Sequence, residues 1–371
     1  MTDKRDTKQM TERFKRDWSA VEARAEAQRL AFSPFMFQAV RVLTVSGLLS
    51  RILEAGEKGM TLAALHAAEP AFSTYAITVL LEAALACGVV EADESRFVCT
   101  KVGWFLVKDA LTQVNVNFAH TVCYRGLYHL ESALREGRPT GLATLGDWPT
   151  VYEGLSELPE PSRTDWFAFD HYYSDQAFEW ALPLVFETPP VRLLDIGGNT
   201  GKFAESAALF NPDVQLTICD LPGQLRVAMA NIEQAGLERR ISGHEVDLLD
   251  DKATLPAGRD AAWMSQFLCC FSETEIIGIL KRVRDAVITA GRVFIMDTFW
   301  DRQQHEAAAY ALIATSLYFT AIANGNSRMY TYNAMKACIE SAGFIVENVH
   351  DNPKTGHSLL VCVPKEQRCM G

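Results

Sequence analysis

Several things are missing from this chain. No stretch of the N-terminus between Met1 and Arg29 forms the apolar run of a signal peptide; that segment mixes charges of both signs. No apolar run approaches the length of a membrane span. The nine cysteines (Cys87, Cys99, Cys123, Cys219, Cys269, Cys270, Cys338, Cys362 and Cys369) include no CxxC pair with zinc-like spacing. They sit mostly in apolar runs, as small buried hydrophobes do in a reducing cytoplasm. Basic residues are in deficit: 35 Lys and Arg against 46 Asp and Glu give a net charge of −11. Phosphate contacts need the opposite balance, so nucleic acid is not the expected partner. Neither G-x-G-x-x-G nor G-x-x-x-x-G-K-[ST] occurs, which argues against dinucleotide and nucleoside-triphosphate turns. Internal repeats and low-complexity segments are absent as well. The expectation is a soluble, cytoplasmic protein without metal, and 371 residues suggest more than one core.

What is present falls into four stretches. Residues 1–30 read as a helical arm, in which Phe14, Trp18, Val21 and Ala25 share one face and suit docking against a second subunit. Residues 31–110 read as a winged helix-turn-helix. Its first helix is expected from Phe35 to Leu53, a short one after Thr61, and a third after Ser73 with Ile77, Leu80, Leu81, Ala84 and Leu85 at helical spacing. A hairpin of Val89–Val90 and Arg96–Cys99 completes it. A DNA-binding regulator would need cations on the third helix. Between Thr61 and Thr100 the only Lys or Arg is Arg96, against Glu69, Glu82, Glu91, Asp93 and Glu94, so the module is read as a dimerisation domain.

Residues 111–190 form a helical connector dense in aromatic and histidine side chains, His120, Tyr124, Tyr152, Trp166, His171 and Tyr173 among them. Part of this must be core, and part suits the wall of a pocket for a flat organic substrate. Residues 191–371 alternate strand and helix. Strands are expected near 192–196, 214–219, 242–247, 261–268, 292–298, 344–350 and 358–363. Such alternation implies an α/β fold with a doubly wound, parallel, Rossmann-like sheet and ligand sites at the carboxyl ends of its strands.

Three acids stand at those ends. Asp195 precedes the turn Gly197-Gly198-Asn199-Thr200-Gly201, whose glycines let backbone approach a ligand. Asp220 follows the second strand and can accept from both hydroxyls of a ribose. Asp247 follows the third, placed for an adenine amino group. Together they point to a nucleoside held without a phosphate cradle.

Leu194-Asp195-Ile196-Gly197-Gly198-Asn199-Thr200-Gly201 and Cys219-Asp220-Leu221-Pro222 resemble the S-adenosylmethionine signatures of the caffeate/hydroxyindole type (plant-like, class I) of O-methyltransferase. Asp247-Leu248 and Ser341-Ala342-Gly343-Phe344 match that family too, and the resemblance runs from about residue 35 to the end. It implies an S-adenosyl-L-methionine cofactor, a homodimer, and methyl transfer to a hydroxyl of an aromatic or conjugated small molecule. By position it implies donor contacts at Ser265 and at Tyr173, where the family has a methionine near the sulfur. Substrate contacts are expected at His120, Tyr124, Asn324 and Arg328.

The catalytic dyad departs from the family. Where relatives read Leu-His-Asp-Trp-Ser, with His as base, this chain reads Leu268-Cys269-Cys270-Phe271-Ser272. Where relatives carry Glu before Arg-Thr, it reads Met329-Tyr330-Thr331. Several accounts stand side by side. Cys269 could ionise beside a cation such as Arg328. His171 or His120 could be the base. An acidic phenol could need little help beyond alignment. Or methyl transfer has been lost, leaving a cofactor-binding relative with hydroxylase- or decarboxylase-like chemistry.

Overall fold

The computed structural model describes residues 4–365, so Cys369 lies outside it. Its contacts divide the chain into two units, one of residues 16–119 and one of residues 1–15 with 120–371.

In the smaller unit, α2 (Ala20–Val45) begins at a capping box in which Ser19 and Glu22 exchange hydrogen bonds. It continues without a break through Pro34. The arm's helix is therefore one with the first helix of the winged-helix motif. That expected first helix is instead split: α3 (Leu48–Glu54) follows Gly47, whose φ of +78° bends the path of the chain by 65°. The expected stripe of the arm is interrupted too. Phe14 ends α1 (Lys4–Phe14) of the other unit, and Trp18 lies in the coil before Ser19.

Thr61 and Ser73 cap α4 (Leu62–Ala68) and α5 (Thr74–Ala86) by accepting from Ala64 N and Ala76 N. The strands β1 (Met60–Thr61), β2 (Val90–Asp93) and β3 (Arg96–Cys99) pair antiparallel in the order β1-β3-β2. Leu43, Leu48, Leu49, Ile52, Leu65, Ile77 and Leu81 form a fully buried core beneath them. Helices α6 (Lys101–Lys108) and α7 (Ala110–Phe118) close the unit.

The larger unit begins with α1, whose Arg13 donates to the carbonyls of Trp300 and Asp301 at 3.3 Å. After α8 (Leu130–Glu136) and α9 (Val151–Gly154), the long α10 (Ser162–Val185) leads into the sheet. The elements then alternate: β4 (Arg192–Ile196), α11 (Lys202–Phe210), β5 (Gln215–Asp220), α12 (Pro222–Gln234), β6 (Ile241–Glu245) and β7 (Arg259–Ser265). There follow α13 (Glu273–Ala286), β8 (Val287–Asp297), α14 (Glu306–Tyr318), α15 (Tyr332–Ser341), β9 (Phe344–Asp351) and β10 (Ser358–Pro364).

The strand order is β6-β5-β4-β7-β8-β10-β9. β4 through β8 are parallel, as expected, but β10 runs antiparallel to both β8 and β9. A short turn at 352–357 joins β9 to β10, and a connection without a helical crossover can only return the chain antiparallel. The order reverses at β4: β5 and β6 lie to one side, β7 and β8 to the other. That switch point is where a doubly wound sheet opens a crevice.

Both sheet faces are covered, one by a core including Ile276, Ile279, Leu280, Met335 and Ile339, the other by one including Ala181, Val185, Ala204, Ala207 and Ala228. α14 with the π turn Phe319–Ala323 is, among the described residues, one straight helical stretch long and apolar enough to span a membrane. The sequence reading had found none. Its Leu312, Phe319, Ala321 and Ile322 are buried within the fold, which accounts for its apolar character.

Candidate active site

A cavity of about 220 Å³ opens at the carboxyl ends of β4, β5 and β7, walled also by α10 and by residues 150–155, 246–249 and 324–326. It lies wholly within the larger unit.

One end of it is built from strand ends. Asp195 is 2% exposed, and burial together with the charge of Asp220 pushes its carboxyl up to about 8. At neutral pH it is thus largely protonated and can donate as well as accept. Its Oδ2 has no hydrogen-bond partner. Asp220 accepts from Asn199 N at 2.8 Å and Leu221 N at 2.7 Å, and burial raises it to about 6 against these bonds. Each carboxylate oxygen keeps a second lone pair for a ligand. Asp247, two residues past the end of β6, accepts from Leu249 N at 2.8 Å in an Asx turn at the rim.

The glycine turn works differently from the expectation. Gly197 has φ +70°, and a Cβ there would lie 2.2 Å from the ring of Phe267. One on Gly198 would meet Ile218 at 2.7 Å and Asp195 Oδ2 at 2.9 Å. The space these glycines leave is filled by the chain's own side chains. Both still line the cavity, whereas Gly201 does not; at φ +82° it opens α11. Asn199, in the left-handed region at φ +49°, ties the turn together, its backbone to Asp220 and its amide to Asp170 Oδ2 at 2.8 Å.

Leu221, Leu248, Ser265 and Asn324 also reach the cavity. Ser265 Oγ, Thr200 Oγ1 and Asn199 Oδ1 are buried without partners, like Asp195 Oδ2. Four orphaned polar atoms on the walls of one cavity call for a polar ligand there. A nucleoside with a zwitterionic amino-acid tail supplies matching donors and acceptors, so the residues fit S-adenosylmethionine. Among the described residues no cluster suited to a metal ion occurs.

At the other end the walls are side chains of Tyr152, Trp166, Cys270 and Phe271, with Asn324 donating to the carbonyl of Cys270. Trp166 Nε1 donates to Tyr318 Oη at 2.7 Å. Tyr152 Oη is buried without a partner. Here the structure separates the two adjacent cysteines. Cys270 lines the cavity; Cys269, at the family's base position, is 4% exposed and does not. Its interactions run to Cys270, to Asp297 and to the Gln266 carbonyl, and together with burial they hold the thiol well above its ordinary value. A thiol so placed stays protonated, which removes the physical basis for a Cys269 thiolate.

Arg328, named as its cationic neighbour, pairs instead with Glu273 at 3.1 Å and stacks over Tyr330. It does not line the cavity, nor do Tyr173, His120 or Tyr124. Tyr173 packs on Phe169, and its carbonyl accepts from Gln266 Nε2 at 3.5 Å. His120 lies in the π turn Ala119–Cys123, with its ring 6.3 Å from that of Tyr124. His171 does reach the cavity. Its Nδ1 is 3.2 Å from Asp175 Oδ1, and that contact raises the imidazole's pKa.

Tyr152 and Trp166, expected in the aromatic connector, line the cavity, whereas Asp170, Asn199, Gln266 and Cys270 are cavity residues that were not singled out from the sequence. Asn199 carried a signal, since it stands inside a glycine turn where a left-handed residue is needed. The others carried none.

Two family models match the chain: an O-methyltransferase domain over residues 185–345 and a Dimerisation2-like domain over residues 24–97. Demethylspheroidene O-methyltransferase of Cereibacter sphaeroides is 31% identical over 179 residues, 48% of this chain and 46% of that one. The N,N-dimethyltransferase OxyT of Streptomyces rimosus is 28% identical over 290 residues, covering 76% of this chain and 81% of OxyT. The chain thus spans about half of the first relative and four fifths of the second. Among solved structures, the fold matches that of NcsB1, an O-methyltransferase from neocarzinostatin biosynthesis in complex with S-adenosylmethionine and 2-hydroxy-5-methyl naphthoic acid. The TM-score is 0.63 at 20% identity, over 88% of this chain and 95% of the other.

Proposed function

We propose that this chain, which belongs to the S-adenosylmethionine-dependent O-methyltransferase family, transfers a methyl group to a hydroxyl of an aromatic or conjugated small molecule. The observation that carries the reading is a single cavity with two unlike ends. Orphaned polar atoms sit at the strand termini, and Tyr152, Trp166 and Phe271 wall the far side.

S-adenosylmethionine, when bound, supplies an electrophilic methyl group on a sulfonium. Asp220 and Asp247 would hold its nucleoside through ribose hydroxyls and the adenine amino group, with Leu221 and Leu248 as apolar flanks. Asp195, Thr200 and Ser265 would take the remaining polar groups. The aromatic wall would hold the acceptor flat and exclude water, leaving its hydroxyl in line with the methyl carbon. Alignment of that kind is the larger part of catalysis for a displacement between held partners. Placement by Asn324, which pins the Cys270 carbonyl, supports a fixed acceptor wall.

The working unit would be a cytoplasmic homodimer. The Dimerisation2-like match supports it, as do the exposed Leu30, Phe32 and Phe35 of α2 and the exposed Trp104 and Phe105 of α6. The eight described cysteines are all free, in keeping with a reducing compartment.

The test is incubation of the purified protein with methyl-labelled donor and a panel of phenols, catechols and aromatic amines, the amines because OxyT is named for N-methylation. Label is expected on hydroxyl oxygen. Donor binding with label reaching no phenol or catechol overturns the reading, and label on amines alone moves it to nitrogen.

A further inference from the structure

We propose that Asp170 takes the proton from the acceptor hydroxyl as the methyl group is transferred, a role that rests on the methyl-transfer reading above. Asp170 stands on α10 in the wall of the cavity, between its two ends. Toward the donor end its Oδ2 accepts from Asn199 Nδ2 at 2.8 Å, and Asn199 in turn donates its backbone N–H to Asp220. Toward the acceptor end its charge is felt by Cys269 and by Tyr318, the partner of the cavity residue Trp166. Among the described residues none donates to Asp170 Oδ1. The carboxyl is thus held by one oxygen, with the other left to accept a proton on the cavity wall, one hydrogen bond from the glycine turn.

No other group meets these conditions as well. Cys269 does not reach the cavity. His171 does, but the charges that act on it are Asp170, Asp175 and Lys202, at the start of α11 beside the donor turn. The groups acting on Asp170 itself come from several elements. His171 lowers its pKa and Asp175 raises it from the same helix, and the Asn199 bond lowers it from the turn after β4. Burial outweighs them and raises the carboxyl to about 6. At neutral pH it is ionised, yet more basic than a surface carboxylate, as a general base should be. In the step, the hydroxyl oxygen bonds to the methyl carbon as the carbon–sulfur bond breaks, with that electron pair staying on sulfur. The hydroxyl proton passes to Asp170 Oδ1 and leaves to solvent after the product departs.

The variant to make is Asp170→Asn, which keeps an acceptor for the Asn199 amide. On whichever phenol of the panel the wild type methylates, kcat should fall roughly 10²- to 10⁴-fold, while the Kd for S-adenosylmethionine rises only about tenfold, the effect of losing one negative charge beside a cationic donor. The acid limb of the wild-type pH profile should vanish. In His171→Asn the limb should persist and move to higher pH, because the imidazolium that lowers Asp170 is gone.

A readout without turnover is calorimetric titration of S-adenosylmethionine at pH 6 in two buffers of different ionisation enthalpy. The cationic donor should drive a proton off Asp170, so the wild type should release up to about half a proton more than Asp170→Asn. Three results overturn the proposal: kcat retained in Asp170→Asn, the limb lost in His171→Asn instead, or equal proton release by both proteins. A wild type that binds donor but methylates no hydroxyl sinks the functional reading and this one together. An active wild type with an equally active Asp170→Asn sinks this one alone.

Discussion

The two ends of the cavity are built by different means. The polar end uses the carboxyl ends of strands: Asp195 is the last residue but one of β4, Asp220 closes β5, and Asp247 lies two residues past β6. Their positions depend on backbone pairing, in a register that holds each strand against its neighbours. The acceptor end uses side chains from elements far apart in sequence, with Tyr152 on α9, Trp166 on α10, Cys270 on the turn after β7, and Asn324 at the end of the π turn. A site built on strand ends keeps its place when surface sequence drifts. One assembled from packed side chains shifts with any of them.

The largest expected effect tests the backbone-built end. Asp220→Ala removes the acceptor of two backbone N–H groups, and affinity for S-adenosylmethionine should fall on the order of 100-fold or more by calorimetry. An unchanged Kd would mean that the strand ends do not hold the donor.

Next is Asp195, whose carboxyl is raised from 3.8 to about 8 in the fold. Its contribution to stability is whole below the lower value and is lost as pH rises through the upper one. Wild type and Asp195→Asn should therefore keep a constant difference in Tm only below about pH 3. By pH 8 the wild type should have dropped relative to the variant by roughly 5 °C. Parallel curves across that range would show that Asp195 is not buried as described.

The two adjacent thiols sharpen the other end. Cys270→Ala should raise the KM for the acceptor, by up to about tenfold, with donor Kd unmoved. Cys269→Ala should leave both KM and the pH profile alone and cost about 1 kcal/mol of stability by denaturant unfolding. A pH profile that changes in Cys269→Ala but not in Cys270→Ala would reverse the assignment of which thiol faces the cavity.

The legible parts of the molecule were those governed by local rules. Seven strands were expected in the second half and seven are present among the described residues, because short apolar runs ending in Asp or Gly leave few alternatives. Thr61 and Ser73 cap their helices as read, since a hydroxyl just ahead of an apolar stripe has one good use. Misreadings arose where an outcome depended on a neighbour. The arm and the first helix of the next stretch were read as separate elements, yet one helix runs from Ala20 to Val45. The direction of β10 depends on the short turn at 352–357, which periodicity does not register. Tyr173 aligned with a donor contact, yet its ring packs on Phe169.

By itself, the sequence determined where the three acids fall, Asp195 and Asp220 at the ends of β4 and β5 and Asp247 just past β6, because the strand period and the parallel register leave their positions little freedom. Only the tertiary structure decided which groups face the acceptor. On the 3₁₀ turn Leu268–Cys270, successive side chains are about 120° apart, so Cys269 turns toward Asp297 while Cys270 turns to the cavity. The same packing brings Asp170 of α10 to Asn199, 29 positions along the chain, a meeting that no local pattern encodes.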